Sequence, residues 1–108
     1  MSYSIKTLVP FEKQAKRLIK KYPSLKAEVS ELIHSLSENP KQGTPIGNNC
    51  FKIHVAIGSK GKGKYGGARV ITHLVVKESV VYLISMYDKS EMPSISGKEI
   101  EELLKQIR

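Results

Sequence analysis

Residues 68–87, ARVITHLVVKESVVYLISMY, hold two apolar, β-branched runs separated by three polar residues. The first run (68–76) predicts a central strand, Lys77-Glu78-Ser79 a tight turn, and VVYLISMY (80–87) its antiparallel partner. Upstream, Phe51, Ile53, Val55 and Ile57 alternate with Lys52, His54 and Ala56. That period of two predicts another strand. At the N-terminus Tyr3, Ile5 and Thr7 alternate with Ser4 and Lys6, a half-buried strand that Pro10 stops. Pro10 also suits the first turn of a helix.

Helical periods fill the rest. Phe11, Ala15, Leu18, Ile19 and Tyr22 form one apolar stripe, and Leu25, Val29, Leu32, Ile33 and Leu36 form the next after Pro23. The two predict a helical hairpin. Residues 38–49, ENPKQGTPIGNN, read as loop from two Pro, two Gly and three Asn. Residues 58–67, GSKGKGKYGG, read as a glycine-rich basic loop. Ser96-Gly97-Lys98-Glu99 is a capping-box signature before Ile100, Leu103, Leu104 and Ile107, a last amphipathic helix. The predicted order is β-α-α-β-β-β-α: one α+β domain over 1–108, an antiparallel sheet with helices packed on one face.

The chain has 108 residues, 40% hydrophobic and 26% charged, enough for one core and too short for two domains. Cys50 is the sole cysteine and has no partner for an internal disulfide, which points to a reducing, cytoplasmic setting. No stretch reaches the ~18 apolar residues of a membrane span, and the N-terminus has no apolar signal-peptide core. A cytoplasmic protein without membrane partners is expected.

Charge is unevenly spread. The chain carries 18 Lys+Arg and 10 Asp+Glu, net +8. Residues 39–77 hold Lys41, Lys52, Lys60, Lys62, Lys64, Arg69 and Lys77 with no acid. Such a block is the electrostatic footprint of a polyanion-binding surface.

Several motifs lead nowhere. Gly61-Lys-Gly63-Lys-Tyr-Gly66 satisfies the spacing of a dinucleotide loop, but a strand follows where a helix is required, and no acid lies about 20 residues on. Gly58 through Tyr65 nearly fits a phosphate-binding P-loop, but Tyr65 stands where a hydroxyl must hold magnesium. His34, His54 and His73 have no metal-ligand spacing, so no metal or cofactor is expected, and His54 and His73 read as surface or core-edge residues on strands. Cys50 reads as a small buried residue.

One constellation remains: Lys60, Lys62, Lys64, Arg69, Tyr87 and Lys89. In an antiparallel hairpin the end of 80–87 lies beside the start of 68–76, so Arg69 and Lys89 should be neighbours. Metal-free RNA cleavage by the 2′-hydroxyl needs a base near that oxygen, cations on the phosphate and an acid near the leaving oxygen. A lysine base requires a pKa lowered from ~10.4 towards ~7–8, about 4 kcal/mol. One cation ~6 Å away at an effective dielectric of ~20 contributes roughly 3 kcal/mol before screening. Clustered lysines therefore meet the requirement themselves. A passive nucleic-acid-binding patch would carry the same residues.

The stretches GTPIGNNCFKIHVAIGSKGKGKYGGARVITHLVV and VYLISMYDKSEMPSISGKEIEELLK resemble the RelE/HigB toxins of bacterial type II toxin–antitoxin systems, within the RelE/ParE superfamily. With the β-α-α lead-in the resemblance covers nearly the whole chain. It implies a RelE-like microbial ribonuclease fold and an endoribonuclease that enters the ribosomal A site and cuts translated mRNA. It also implies a cognate antitoxin, usually with a helix-turn-helix DNA-binding module. The family's basic active-site positions carry over to Lys62, Lys64, Arg69 and Lys89 as catalytic, with Lys52, Lys60, Tyr65 and Tyr87 as substrate-binding. RelE itself uses a tyrosine shortly after its last-strand arginine; here that region reads Ser90-Glu-Met-Pro-Ser-Ile, and Tyr87 precedes Lys89 instead. An antitoxin with an acidic segment is expected to complement the +8 charge, and helix 96–107 offers a further docking surface. Two other functions fit the same fold: a non-enzymatic nucleic-acid-binding module, and a ParE-like inhibitor of DNA gyrase.

Overall fold

The computed structural model describes residues 2–60, with the side chain of Lys60 excepted, and 67–107. In chain order the elements are β1 (Ser4–Thr7), α1 (Val9–Lys21), α2 (Leu25–Glu38), β2 (Thr44–Gly47), β3 (Cys50–Val55), β4 (Ala68–Val75), β5 (Val80–Asp88) and α3 (Gly97–Leu104). Among the described residues no helix is long and apolar enough to cross a membrane.

The five strands form one sheet in the order β1-β5-β4-β3-β2. β4, expected to be a central strand, takes the middle position. β2 through β5 make an antiparallel meander, but β1 joins β5 in parallel, Ser4 opposite Val80 and Thr7 opposite Leu83. The sheet is thus mixed, not wholly antiparallel. The helical hairpin carries the chain from β1 at one edge to β2 at the other, and the three reversals of the meander bring β5 back beside β1, running the same way.

β2 corrects the expectation of a loop over 38–49. It pairs with β3 through a two-residue turn, Asn48-Asn49, both residues in the left-handed region at φ 55° and 56°. That is the backbone of a type I′ hairpin, which asparagine tolerates well. Pro45 is admissible because β2 is an edge strand.

The helices cover both faces, which corrects the one-face expectation. α1 and α2 bury Phe11, Ala15, Leu18, Leu25, Val29, Leu32 and Leu36 against one face, with Val70, Leu74, Val81, Leu83 and Met86 from the sheet. α3 lies against the other face, where Ile100 meets Cys50, Ile71, Ile84 and Tyr87. Ser96 Oγ accepts from the Glu99 N–H at 3.1 Å, the expected cap of α3.

A β-bulge phases the two faces. Ile71 pairs with Ser85 and Thr72 with Leu83, leaving Ile84 as an extra residue on β5. Strict alternation from Val81 and Leu83 would send Met86 to the α3 face and Tyr87 to the hairpin face. The extra residue reverses this, so Met86 joins the hairpin core and Tyr87 the opposite one.

Thr72 is fully buried, and its hydroxyl has no hydrogen-bond partner among the described residues. An unpaired buried hydroxyl costs on the order of 1–3 kcal/mol. Thr72→Val, nearly the same shape, is therefore expected to stabilise the fold by roughly 1 kcal/mol. Urea unfolding of the two proteins measures the difference.

Candidate active site

Three strands deliver one row of side chains to the face that α3 partly covers. His54 on β3 pairs with Arg69 on β4, and Arg69 pairs with Tyr87 on β5. Lys52 stands two residues from His54, hence on the same face, and pairs with Ile71. Lys89, just past β5, is held back towards β4 by its N–H, which donates to the Gly67 carbonyl at 3.2 Å. Lys52, His54, Arg69 and Lys89 line a single cleft of about 420 Å³. Gly43, Thr44 and Pro93 also line it, and none of the described lining residues is a carboxylate.

Of the residues expected at the site, Arg69 and Lys89 come together, with Lys52 beside them. Lys62, Lys64, Tyr65 and the side chain of Lys60 lie outside the described residues. Arg69 is half-buried, and its Nη1 donates to the Ala68 carbonyl at 3.3 Å. Lys52 and Lys89 are also half-buried, and among the described residues none of the three has a carboxylate partner. Their charges stay available to an anion.

Tyr87 is placed differently from an open substrate contact. It is only 4% exposed, beneath the segment that leads into α3. It borders a small pocket of about 170 Å³ shared with Lys52, Ser94 and Ile95, and its hydroxyl has no hydrogen-bond partner among the described residues. Burial pushes its phenol above the ordinary value, while the charge of Arg69 and the backbone at Ile95 oppose the shift. The phenol is therefore neutral around pH 7 and able to donate a proton in a hydrogen bond.

His54, expected to be a surface or core-edge residue, is exposed within the cleft. The signal was present: it shares strand parity with Lys52. A second signal is Gly67. A Cβ there would stand 2.5 Å from the Val55 carbonyl and 2.6 Å from His54 Nε2. Only glycine lets the start of β4 pass so close over the imidazole.

Asp88 was also missed. It is fully buried on the hairpin side, where the Tyr22 hydroxyl donates to it at 3.0 Å. The Ser90 N–H and hydroxyl donate to its other oxygen at 2.9 and 2.7 Å. These bonds fix the turn that carries Lys89. Glu91, in the same turn, pairs with Arg17 of α1 at 2.8 Å and with Lys21 at 3.3 Å. The Arg17 guanidinium draws the Glu91 carboxyl below its ordinary range.

The other buried nucleophile is inert. Cys50 is 1% exposed, and burial pushes its thiol up to about 11. At neutral pH it is a thiol, not a thiolate.

No family model matches the chain. Among solved structures it is similar to E. coli toxin RelE, a double-arginine mutant in the free state, with a TM-score of 0.67 over 100% of both chains. The fold is that of RelE. At 17% identity the likeness concerns the fold alone.

Gly67→Ala is expected to force β3 and β4 apart and to displace His54, at a cost of roughly 1–3 kcal/mol. Thermal unfolding reads the cost, and the His54 imidazole NMR signals should move further than those of His34.

Proposed function

We propose that this chain is the toxin of a toxin–antitoxin pair and an endoribonuclease that cuts translated mRNA on the ribosome. The observation that carries this reading is the cleft: Lys52, Arg69, Lys89 and His54 around about 420 Å³, with no carboxylate among the described residues that line it. Such a set attracts a phosphodiester and is a poor ligand set for a divalent cation, which takes oxygen anions.

In the proposed reaction the RNA 2′-oxygen attacks the adjacent phosphorus and the P–O5′ bond breaks. The products are a 2′,3′-cyclic phosphate and a 5′-hydroxyl. His54 takes the 2′-hydroxyl proton, a role for which imidazole is suited because it titrates near neutrality. Arg69 binds the non-bridging oxygens through its planar fork as charge builds on them. Lys89 and Lys52 flank that charge, and Lys62 and Lys64 of the basic loop add to it, one of them supplying the proton to the leaving oxygen. Lys60 and Tyr65 contact the RNA backbone and a base.

The dependence on a ribosome has a physical motive. His54 stands exposed in the cleft. In-line attack requires the 2′-oxygen, phosphorus and leaving oxygen to be held in one geometry, which a few side chains on an open sheet face supply poorly. An mRNA already fixed in the A site brings that order with it. A partner antitoxin with an acidic segment would oppose such binding by occupying the same cations.

Induced expression followed by mapping of mRNA 5′ ends tests the reading. Cuts within translated frames are expected. Intact mRNA with broken DNA would indicate gyrase as the target instead. Arg69→Ala is expected to lower cleavage by about 10²-fold or more while the protein stays folded, the usual loss for one donor to a developing charge. His54→Ala should lower it comparably. Equal, small, additive losses across Arg69, Lys52 and Lys89 would mark a passive binding surface.

A further inference from the structure

The turn between α1 and α2 touches both chain segments that bring cations to the cleft. Tyr22 opens it, and its hydroxyl donates to Asp88 at 3.0 Å, in the turn that carries Lys89. Ser24 closes it at the entrance to α2. Together with Glu28 it grips Gly58–Lys60, a 3₁₀ turn at the start of the glycine-rich basic loop. The Gly58 N–H donates to Glu28 Oε2 at 2.8 Å, and the Ser59 N–H donates to Ser24 Oγ at 2.8 Å. Ser59 Oγ lies 2.8 Å from Ser24 Oγ and accepts from the Ser24 N–H at 3.3 Å. Ser24 Oγ also lies 3.2 Å from Glu28 Oε1, so both carboxylate oxygens are engaged.

Neither helix capping nor core packing explains this clamp. A serine at a helix entrance ordinarily accepts from the N–H groups of its own helix. Ser24 makes no such bond, and its hydroxyl serves Ser59 instead. Ile57 is 2% exposed and belongs to the core, whereas Gly58 and Ser59 after it are exposed. The core is thus complete before the clamped residues begin. What the clamp does affect is the chain beyond it, where Lys62 and Lys64 follow three and five residues after Ser59. The other end of that stretch is tied down as well, because the Gly67 carbonyl accepts from the Lys89 N–H at 3.2 Å. Fixing both ends of a segment reduces the conformations open to the residues between them.

We propose that Ser24 and Glu28 are positioning residues for RNA cleavage. By holding Gly58 and Ser59 they set where the basic loop starts, and so where Lys62 and Lys64 act. The role rests on the ribosome-dependent nuclease reading. Neither residue lines the cleft; both act through the loop lysines, whose alignment with the phosphate determines the rate. Their loss therefore lowers the rate of the bound complex and leaves ribosome binding nearly unchanged.

Single-turnover mRNA cleavage on programmed ribosomes, combined with amide hydrogen exchange of the free protein, tests this role. Ser24→Ala with Glu28→Ala should speed exchange at Gly58 and Ser59. It should lower the maximal rate by about 10-fold, with the half-saturating ribosome concentration nearly unchanged. Ser59→Ala, at an exposed position outside the helix, should reproduce part of both effects without disturbing α2. Ser24→Thr, which retains the hydroxyl, should keep the parental rate. In a Lys62→Ala, Lys64→Ala background the helical pair should cost no further rate, whereas beside Lys52→Ala, on β3, the loss should persist. Unchanged exchange in the variants overturns the clamp. An undiminished rate with faster exchange overturns its role, and so does an equal loss in both lysine backgrounds, which marks general damage to the fold. A parent that makes no cuts removes the nuclease reading and the positioning role together. A parent that cuts, beside variants that cut equally well, removes only the positioning role.

Discussion

Arg69 lies near the start of the central strand, opposite His54 on one neighbour and Tyr87 on the other. That register across β3, β4 and β5 is the constraint from which the site follows. It holds only because of one extra residue. Ile84 bulges from β5 and reverses the alternation, so that the strand inserts Met86 into the hairpin core and presents Tyr87 beside Arg69. Without it, Met86 would stand opposite Arg69. Gly67 completes the arrangement by allowing β4 to begin in contact with the His54 imidazole.

Charge is partitioned between the faces in a way that serves this row. Asp88, the one buried carboxylate among the described residues, points towards the helical hairpin, where Tyr22 and Ser90 satisfy it. Glu91 turns towards Arg17 and Lys21. Two acids within two positions of Lys89 thus anchor its turn without pairing with the described cations of the cleft. Gathering Lys52, Arg69 and Lys89 in one place costs Coulomb repulsion, which solvent and their half-exposed positions moderate. A phosphate entering the cleft would relieve it.

Much of this was legible from periodicity. The long apolar runs 68–76 and 80–87, the helical stripes after Pro10 and Pro23, and the cap at Ser96 each carry their own local signal. What escaped depends on non-local pairing or on one residue of phase. β2 is short, holds Pro45 and Gly47, and gains its strand geometry from Cys50–Lys52 across an Asn-Asn turn. The parallel docking of β1 on β5 leaves no trace in either strand's pattern. The placement of α3 on the opposite face is invisible because its stripe, Ile100 with Leu103 and Leu104, would cover either face equally well. At the site, Arg69 and Lys89 are neighbours by hairpin arithmetic alone. His54 was passed over because a lone strand histidine has many uses, although its parity with Lys52 was in plain view. The burial of Tyr87 depends on α3 and on the bulge, neither of which composition reveals.

The central claim is that the sheet face around Arg69 receives an RNA phosphate. The most direct measurement is an NMR titration of the isotopically labelled protein with a short 2′-O-methyl RNA, which binds but cannot cleave itself. The account predicts saturable shifts concentrated at Lys52, His54, Arg69 and Lys89, weakening as salt is raised. Shifts confined to α3 or to the outer face of α2, with the Arg69 side-chain signal unmoved at saturation, would contradict it.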